Sequence, residues 1–259
     1  MVLRYRQLSF DTAHFAAGSP VPASFSLFDA NADCANGVTA IGAFDEKTLI
    51  RWLAGFGPTR GLILEQLSRS PSALIWPEVV QPFYCPGEGD IDLVICERSA
   101  PNQSVAIEAK RVKVEIIGPE EDKLHKIRDI GKGVEQANRL HRKFGFFQHY
   151  LAVVTAVEAI EQTDTNIPCR GLRSYSTDLF DDRKTHTRIV DFPGRNKLNP
   201  EIGIIFMEVV QPSRIGINAR ATFRICVHRP AQRRDQSQDV TNRLAALMMD
   251  TSDPTELRR

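Results

Sequence analysis

Apolar positions along the chain switch between helical and strand spacing, and the switches mark out a series of elements. After Asp45, Leu49, Trp52, Leu53 and Phe56 recur at helical steps until Gly57-Pro58 breaks the pattern. A second helical run, TRGLILEQLSRS, places Leu62, Ile63 and Leu67 on an apolar side and Glu65 nearer the polar side. SALIWPEVVQPFYC reads as a strand, and Pro77 and Pro82 confine it to a sheet edge or a bulge. IDLVIC and SVAIEAKRVKV read as two more strands, joined as a hairpin through the polar loop SAPNQ. From about Glu120 to Phe144 the pattern predicts a long polar helix. Its acidic start, EED, suits a helix N-terminus, and Leu124, Ile127, Ile130, Val134, Ala137 and Leu140 form a core-facing stripe. HYLAVVTAVEAI then reads as a buried strand.

The flanking regions are less periodic. In residues 1–43, MVLRYRQLSF could be a strand, and the turn-rich GSPVPASFSLFDANADCANGV carries phenylalanines suited to packing on the body. Residues 161–199 are loop-rich and charged. EIGIIFMEVVQ and RIGINARATFRICVH predict two late strands that extend the core sheet or form a small flanking sheet. DVTNRLAALMMD predicts an amphipathic helix, and DPTELRR a frayed tail. The expected organisation is an extension packed on the core (1–44), a core (45–160) and a C-terminal elaboration (161–259).

Composition narrows the class. At 259 residues, 42% hydrophobic and 25% charged, the chain can bury a substantial core and has ordinary soluble composition. A net charge of +1 means that any surface for a polyanion must be local. Five scattered cysteines without a C-x-x-C pair predict buried reduced thiols in a cytoplasmic protein, not a zinc ribbon or disulfide framework. The opening residues contain no apolar stretch of signal-peptide length, and no run is long enough to span a bilayer. Histidine spacing does not suggest zinc. The absence of a P-loop, a Rossmann glycine run and G-x-S-x-G argues against nucleotide hydrolysis and esterase chemistry.

The chemistry concentrates in GDIDLVICERSAPNQSVAIEAKRVKV, residues 89–114. Side chains alternate faces along a strand, so Glu108 and Lys110 point the same way, opposite to Ile107 and Ala109. Asp92 lies sixteen positions before Glu108, the span of one hairpin. Two carboxylates and an ammonium meeting on one sheet surface would suit a divalent metal and an activated water. The alternative is a set of salt-bridged charges on an exposed strand.

The segment resembles the PD-(D/E)XK nucleases, the restriction-endonuclease-like superfamily. Ile91-Asp92-Leu93-Val94 stands for the first acidic strand and Glu108-Ala109-Lys110 for the E-x-K triplet. No literal Pro-Asp precedes the strand; Pro86 lies upstream and Gly89 supplies the turn. The resemblance covers about residues 45–157. It implies an α/β fold with an αβββαβ core, a mixed central sheet flanked by helices, and N- and C-terminal additions. It further implies hydrolysis of phosphodiester bonds with Mg²⁺ or Mn²⁺. Asp92 and Glu108 would be the metal ligands, the Ala109 carbonyl would complete the set, and Lys110 would orient the water.

Other positions take weaker roles. Glu65, on the helix before the core strands, is a candidate additional acid; the alternative is a solvated helix residue. Asp90 is a candidate supporting acid or ligand. Gln136 matches a glutamine of the exonuclease branch, although Leu140 stands where that branch has tyrosine. Arg111, Lys132 and Arg139 are candidate phosphate contacts, set against acids that dilute the basic character. The expected partner is nucleic acid, with DNA favoured by family frequency. A homodimer, or a partner from defence or repair, is a further expectation. The competing expectation is the same fold without activity, serving as a nucleic-acid-binding or assembly subunit.

Overall fold

A computed structural model describes residues 23–26, 44–80, 83, 90–118, 121–159, 161–163, 173–175, 189, 191–212 and 220–250. The elements are β1 (Ala23–Ser26), α1 (Glu46–Gly55), α2 (Gly57–Gln66), β2 (Leu74–Val79), β3 (Ile91–Glu97), β4 (Ala100–Gly118), β5 (Glu121–His125), α3 (Asp129–Lys143), β6 (Gln148–Ala159), β7 (Glu161–Thr163), β8 (Arg173–Tyr175), β9 (Gly203–Pro212), β10 (Arg220–Arg229) and α4 (Gln238–Asp250).

One eight-stranded mixed sheet organises the chain, in the order β1-β10-β9-β6-β4-β3-β2, with β5 attached to β4. The β4–β6 and β6–β9 pairs are parallel and the others antiparallel. Parallel neighbours need a crossover, and α3 supplies the one between β4 and β6. The succession helix, strand, strand, strand, helix, strand is therefore present with β5 interposed before α3, and is compatible with a nuclease-like core. The late strands extend the same sheet, while β7 and β8 form a separate two-stranded ribbon.

The local chemistry explains the elements. Asp45 caps α1 by accepting a 2.7 Å hydrogen bond from Thr48 N, and Leu49, Ile50, Leu53 and Ala54 bury one stripe. Pro58 sits in the first turn of α2, where no amide donor is missed. Beneath these two helices lies a core that includes Leu93, Ile95, Val105, Ile107, Ala109, Ala152 and Met207. On the opposite face Ile130, Val134 and Ala137 of α3 meet Val112, Leu151, Val153 and Phe206. Val240 and Leu244 of α4 join Val94, Ala106 and Phe146. Because both faces are covered, every residue of β3 from Ile91 to Cys96 is buried.

Several expectations change in detail. The hairpin turn is Arg98-Ser99, and residues 100–103 of the expected loop already belong to β4. The helix expected over Glu120–Phe144 begins only at Asp129. Residues 121–125 pair with β4 instead, Val114 opposite Leu124 and Lys113 opposite His125. Leu124 and Ile127 still pack on the α3-side core, so the apolar stripe is real although its first turns are not helical. β2 is an edge strand, as Pro77 requires. The turn-rich stretch before residue 44 contains β1, paired with β10. The expected first strand, Pro82, Cys34, Cys85, Cys169 and the terminal tail lie outside the described residues. Cys96 and Cys226 are free thiols, and burial pushes Cys96 up to about 12. Among the described residues no helix is long and apolar enough to cross a membrane.

Candidate functional site

The site forms where β4 loses its neighbours on one edge. Leu93 pairs with Ile107, and continuing that register sets Asp92 opposite Glu108. β3 ends there, while β5 begins pairing only at Lys113. Among the described residues the edge amides of β4 between them have no strand partner, and carboxylates take that place. Asp92 Oδ2 accepts from Ala109 N at 2.7 Å, and Glu46 Oε2 accepts from Arg111 N at 2.7 Å. Two acids are thus fixed at a break in the ladder by backbone groups that would otherwise be unsatisfied.

Lys110 lies at the centre of these acids. Its Nζ is 2.8 Å from Glu108 Oε1 and 3.2 Å from Glu46 Oε1, and it donates to the Ala109 carbonyl at 2.9 Å. Glu108 is 2% exposed, and neither of its carboxylate oxygens accepts an aligned hydrogen bond; the contact with Lys110 is an ion pair off the hydrogen-bonding direction. Burial pushes Asp92 up to about 6, with Lys110 and the Ala109 amide partly offsetting it. Burial and the nearby Asp92 push Glu108 well above the usual carboxylate range. For Lys110 burial acts downward, but Glu108 and Asp92 outweigh it and hold the ammonium charged.

Above this group opens a cleft of about 570 Å³, lined by Lys110, Arg111 and Lys113 of β4, Asp45, Glu46 and Lys47 at the start of α1, and Lys126, Asp129, Lys132 and Gln136 around the start of α3. Lys126 carries the chain from β5 into α3 in a left-handed conformation, φ 61°. Gln136 Nε2 reaches the Asp90 carbonyl at 3.3 Å, tying α3 to the beginning of β3. Asp90 Oδ2 pairs with Lys47 at 2.9 Å.

The structure therefore sets Lys110, Arg111, Lys132 and Gln136 on one cleft, while Asp92 and Glu108 are buried, Glu108 against Lys110 and Asp92 on the Ala109 amide. Two candidates lie apart. Glu65 is exposed on α2, a helix that packs toward β10 and β1. Arg139 lines a second groove of about 510 Å³ with Arg142 and Lys197. The acid supplied by the preceding helices is Glu46, which sequence reasoning passed over. Its place directly after the Asp45 cap was the available signal, and by itself that place marks only the start of a helix. Among the described residues no group of three or more His, Cys, Asp or Glu side chains is arranged to hold a metal ion. The oxygens a hard cation would need are those of Glu108, Asp92 and the Ala109 carbonyl, and the Lys110 ammonium lies against Glu108 Oε1 at 2.8 Å and the Ala109 carbonyl at 2.9 Å.

Comparison with known proteins adds little. No protein-family model matches the chain, and no curated protein matches it significantly. Among solved structures it is similar to SfsA of Pyrococcus furiosus in complex with Ca²⁺, at 12% identity and a TM-score of 0.24, over 56% of this chain and 50% of that one. The match thus spans about half the length of that protein.

Proposed function

We propose that this chain is a metal-dependent nuclease of the PD-(D/E)XK type that hydrolyses phosphodiester bonds of DNA. The observation that carries the reading is the convergence of Asp92, Glu108 and Lys110 beneath a cleft rimmed by lysines. Asp92 and Glu108 would hold Mg²⁺ or Mn²⁺, with the Ala109 carbonyl and water completing the set. Such an ion neutralises developing negative charge and lowers the pKa of a bound water. The chain's own residues do the rest. Lys110 brings a permanent positive charge to the scissile phosphate and orients the attacking water by hydrogen bonding. Glu46 holds the Lys110 ammonium in place and accepts from the Arg111 amide. Arg111, Lys113 and Lys132 meet the phosphates on either side.

A second reading is favoured by one specific contact. Lys110 already lies against Glu108, and Asp92 already satisfies a backbone amide, as a structural ion cluster would do. In that case the chain binds nucleic acid without cutting it. Cleavage of single- and double-stranded DNA with Mg²⁺ or Mn²⁺ decides between the two. The nuclease reading expects cleavage abolished by EDTA and lowered about 10²–10³-fold or more by Lys110→Ala and by Glu108→Gln. DNA binding with no cleavage supports the silent binding subunit, and cleavage that survives both changes removes Lys110 and Glu108 from the reaction.

A further inference from the structure

We propose that Gly133 is a positioning residue for Lys110: α3 lies so close to β4 that its backbone roofs the lysine stem and fixes where the ammonium points. The inference rests on the reading of Lys110 as the working cation of the site. Gly133 is buried within α3, in the middle of the face formed by Ile130, Val134 and Ala137. A Cβ added to it would lie 2.4 Å from Lys110 Cγ, 3.3 Å from Lys110 Cδ and 3.3 Å from Leu151 Cδ1. The first distance is shorter than real carbon atoms tolerate. Nor can Lys110 Cγ easily yield. It is one bond from the Cβ of a residue whose backbone is paired with Val153 of β6, so relief requires either a new χ1 rotamer or retreat of the helix. Either change withdraws Nζ from Glu108, Glu46 and the Ala109 carbonyl together.

A second glycine in the same helix supplies the control. A Cβ on Gly131 would meet only Asn196 Oδ1, at an ordinary 3.6 Å. Alanine is the better helix former at both positions, so glycine at 133 opposes local propensity. The collision with Lys110 accounts for it.

The test compares Gly131→Ala, Gly133→Ala, Lys110→Ala and the Gly133→Ala/Lys110→Ala double variant. Melting temperature and steady-state cleavage of DNA are measured for each. Gly131→Ala should hold or raise the melting temperature and leave kcat unchanged. Gly133→Ala should lower the melting temperature and lower kcat at least about tenfold, with KM unchanged where the lysine rotamer yields and raised where the helix carrying Lys132 retreats. In the Lys110→Ala background, where the colliding stem is gone, the thermal loss should largely disappear. A Gly133→Ala protein that is insoluble while the double variant folds supports the proposal equally. A thermal loss that persists at full size without the lysine stem, a double variant that fails to fold, or unaltered kcat in Gly133→Ala overturns the proposal and leaves ordinary helix-to-sheet packing. Should the parent chain prove inactive, the nuclease reading fails, yet the thermal comparison still decides whether Gly133 acts on Lys110.

Discussion

At the scale of single residues, the buried acids carry a cost that can be measured. Asp92 is held at about 6 in the folded chain against 3.8 for a free carboxyl, with burial the leading cause. An acid raised in this way binds its proton more tightly when folded. The stability associated with the protonated form is complete below about pH 4 and is lost as pH rises through about 6. A gap of about two pH units corresponds to about 3 kcal/mol, and Glu108 shifts in the same direction. In EDTA, Asp92→Asn should therefore be more stable than the parent at pH 8 and nearly equal to it at pH 4.5, since asparagine can still accept from the Ala109 amide. Calorimetric unfolding at the two pH values is the check; a parent chain that gains on the variant between pH 4.5 and 8 would show that Lys110 fully compensates both acids. Glu108 and Lys110 were legible in the sequence because strand alternation places them on one face, and Asp92 because the hairpin span and the resemblance single it out. Glu46 was not. Its role depends on α1 starting over the gap in β4, a tertiary fact, and local pattern favoured Glu65 for a position that folding gives to another helix.

At the scale of elements, β4 decides the site. It runs from Ala100 to Gly118, pairing first with β3 and then with β5, and the unpaired interval between them is where Asp92 and Glu46 reach its amides. The sequence made the hairpin and α3 visible through their periodicities, but it disguised β5. Residues 121–125 continue the apolar spacing of α3 through Leu124, and their acidic start imitates a helix N-terminus. Only pairing with β4 overrides that local preference. The parallel junction behind the site is equally exacting. Gly203 pairs with Tyr150, and a Cβ there would lie 2.3 Å from the tyrosine ring and 2.6 Å from Ala231 N. Since backbone blocks one direction of escape, Gly203→Ala should destabilise by roughly 1–3 kcal/mol or more. Urea denaturation of the parent and variant measures this; identical midpoints would mean that β6 and β9 separate without penalty.

At the scale of the whole molecule, a net charge of +1 conceals a strong local asymmetry. Lys47, Lys110, Arg111, Lys113, Lys126 and Lys132 gather around a cleft that also contains Asp45, Glu46 and Asp129. Of the acids, Asp45 caps α1, Glu46 holds Lys110 and the Arg111 amide, and Asp129 pairs with Lys132 at 2.9 Å, as Lys47 does with Asp90, so the exposed Lys113 and Lys126 carry the positive charge facing a ligand. A polyanionic strand bound there releases counterions in proportion to the phosphates neutralised, about 0.9 per contact for duplex DNA. Lys113 and Lys126 are exposed on the rim and lie away from the buried acids. Replacing both with glutamine should weaken binding of unrelated sequences alike and flatten the slope of log affinity against log salt by about 2. Arg139 and Arg142, in the groove beyond α3, provide the contrast. If the strand stays within the first cleft, their replacement leaves the slope unchanged. If it crosses α3, the slope falls there as well, and the bound nucleic acid spans both grooves. A parent chain whose DNA affinity is insensitive to salt would remove phosphate recognition from the cleft altogether, because no arrangement of these lysines around a polyanion escapes counterion release.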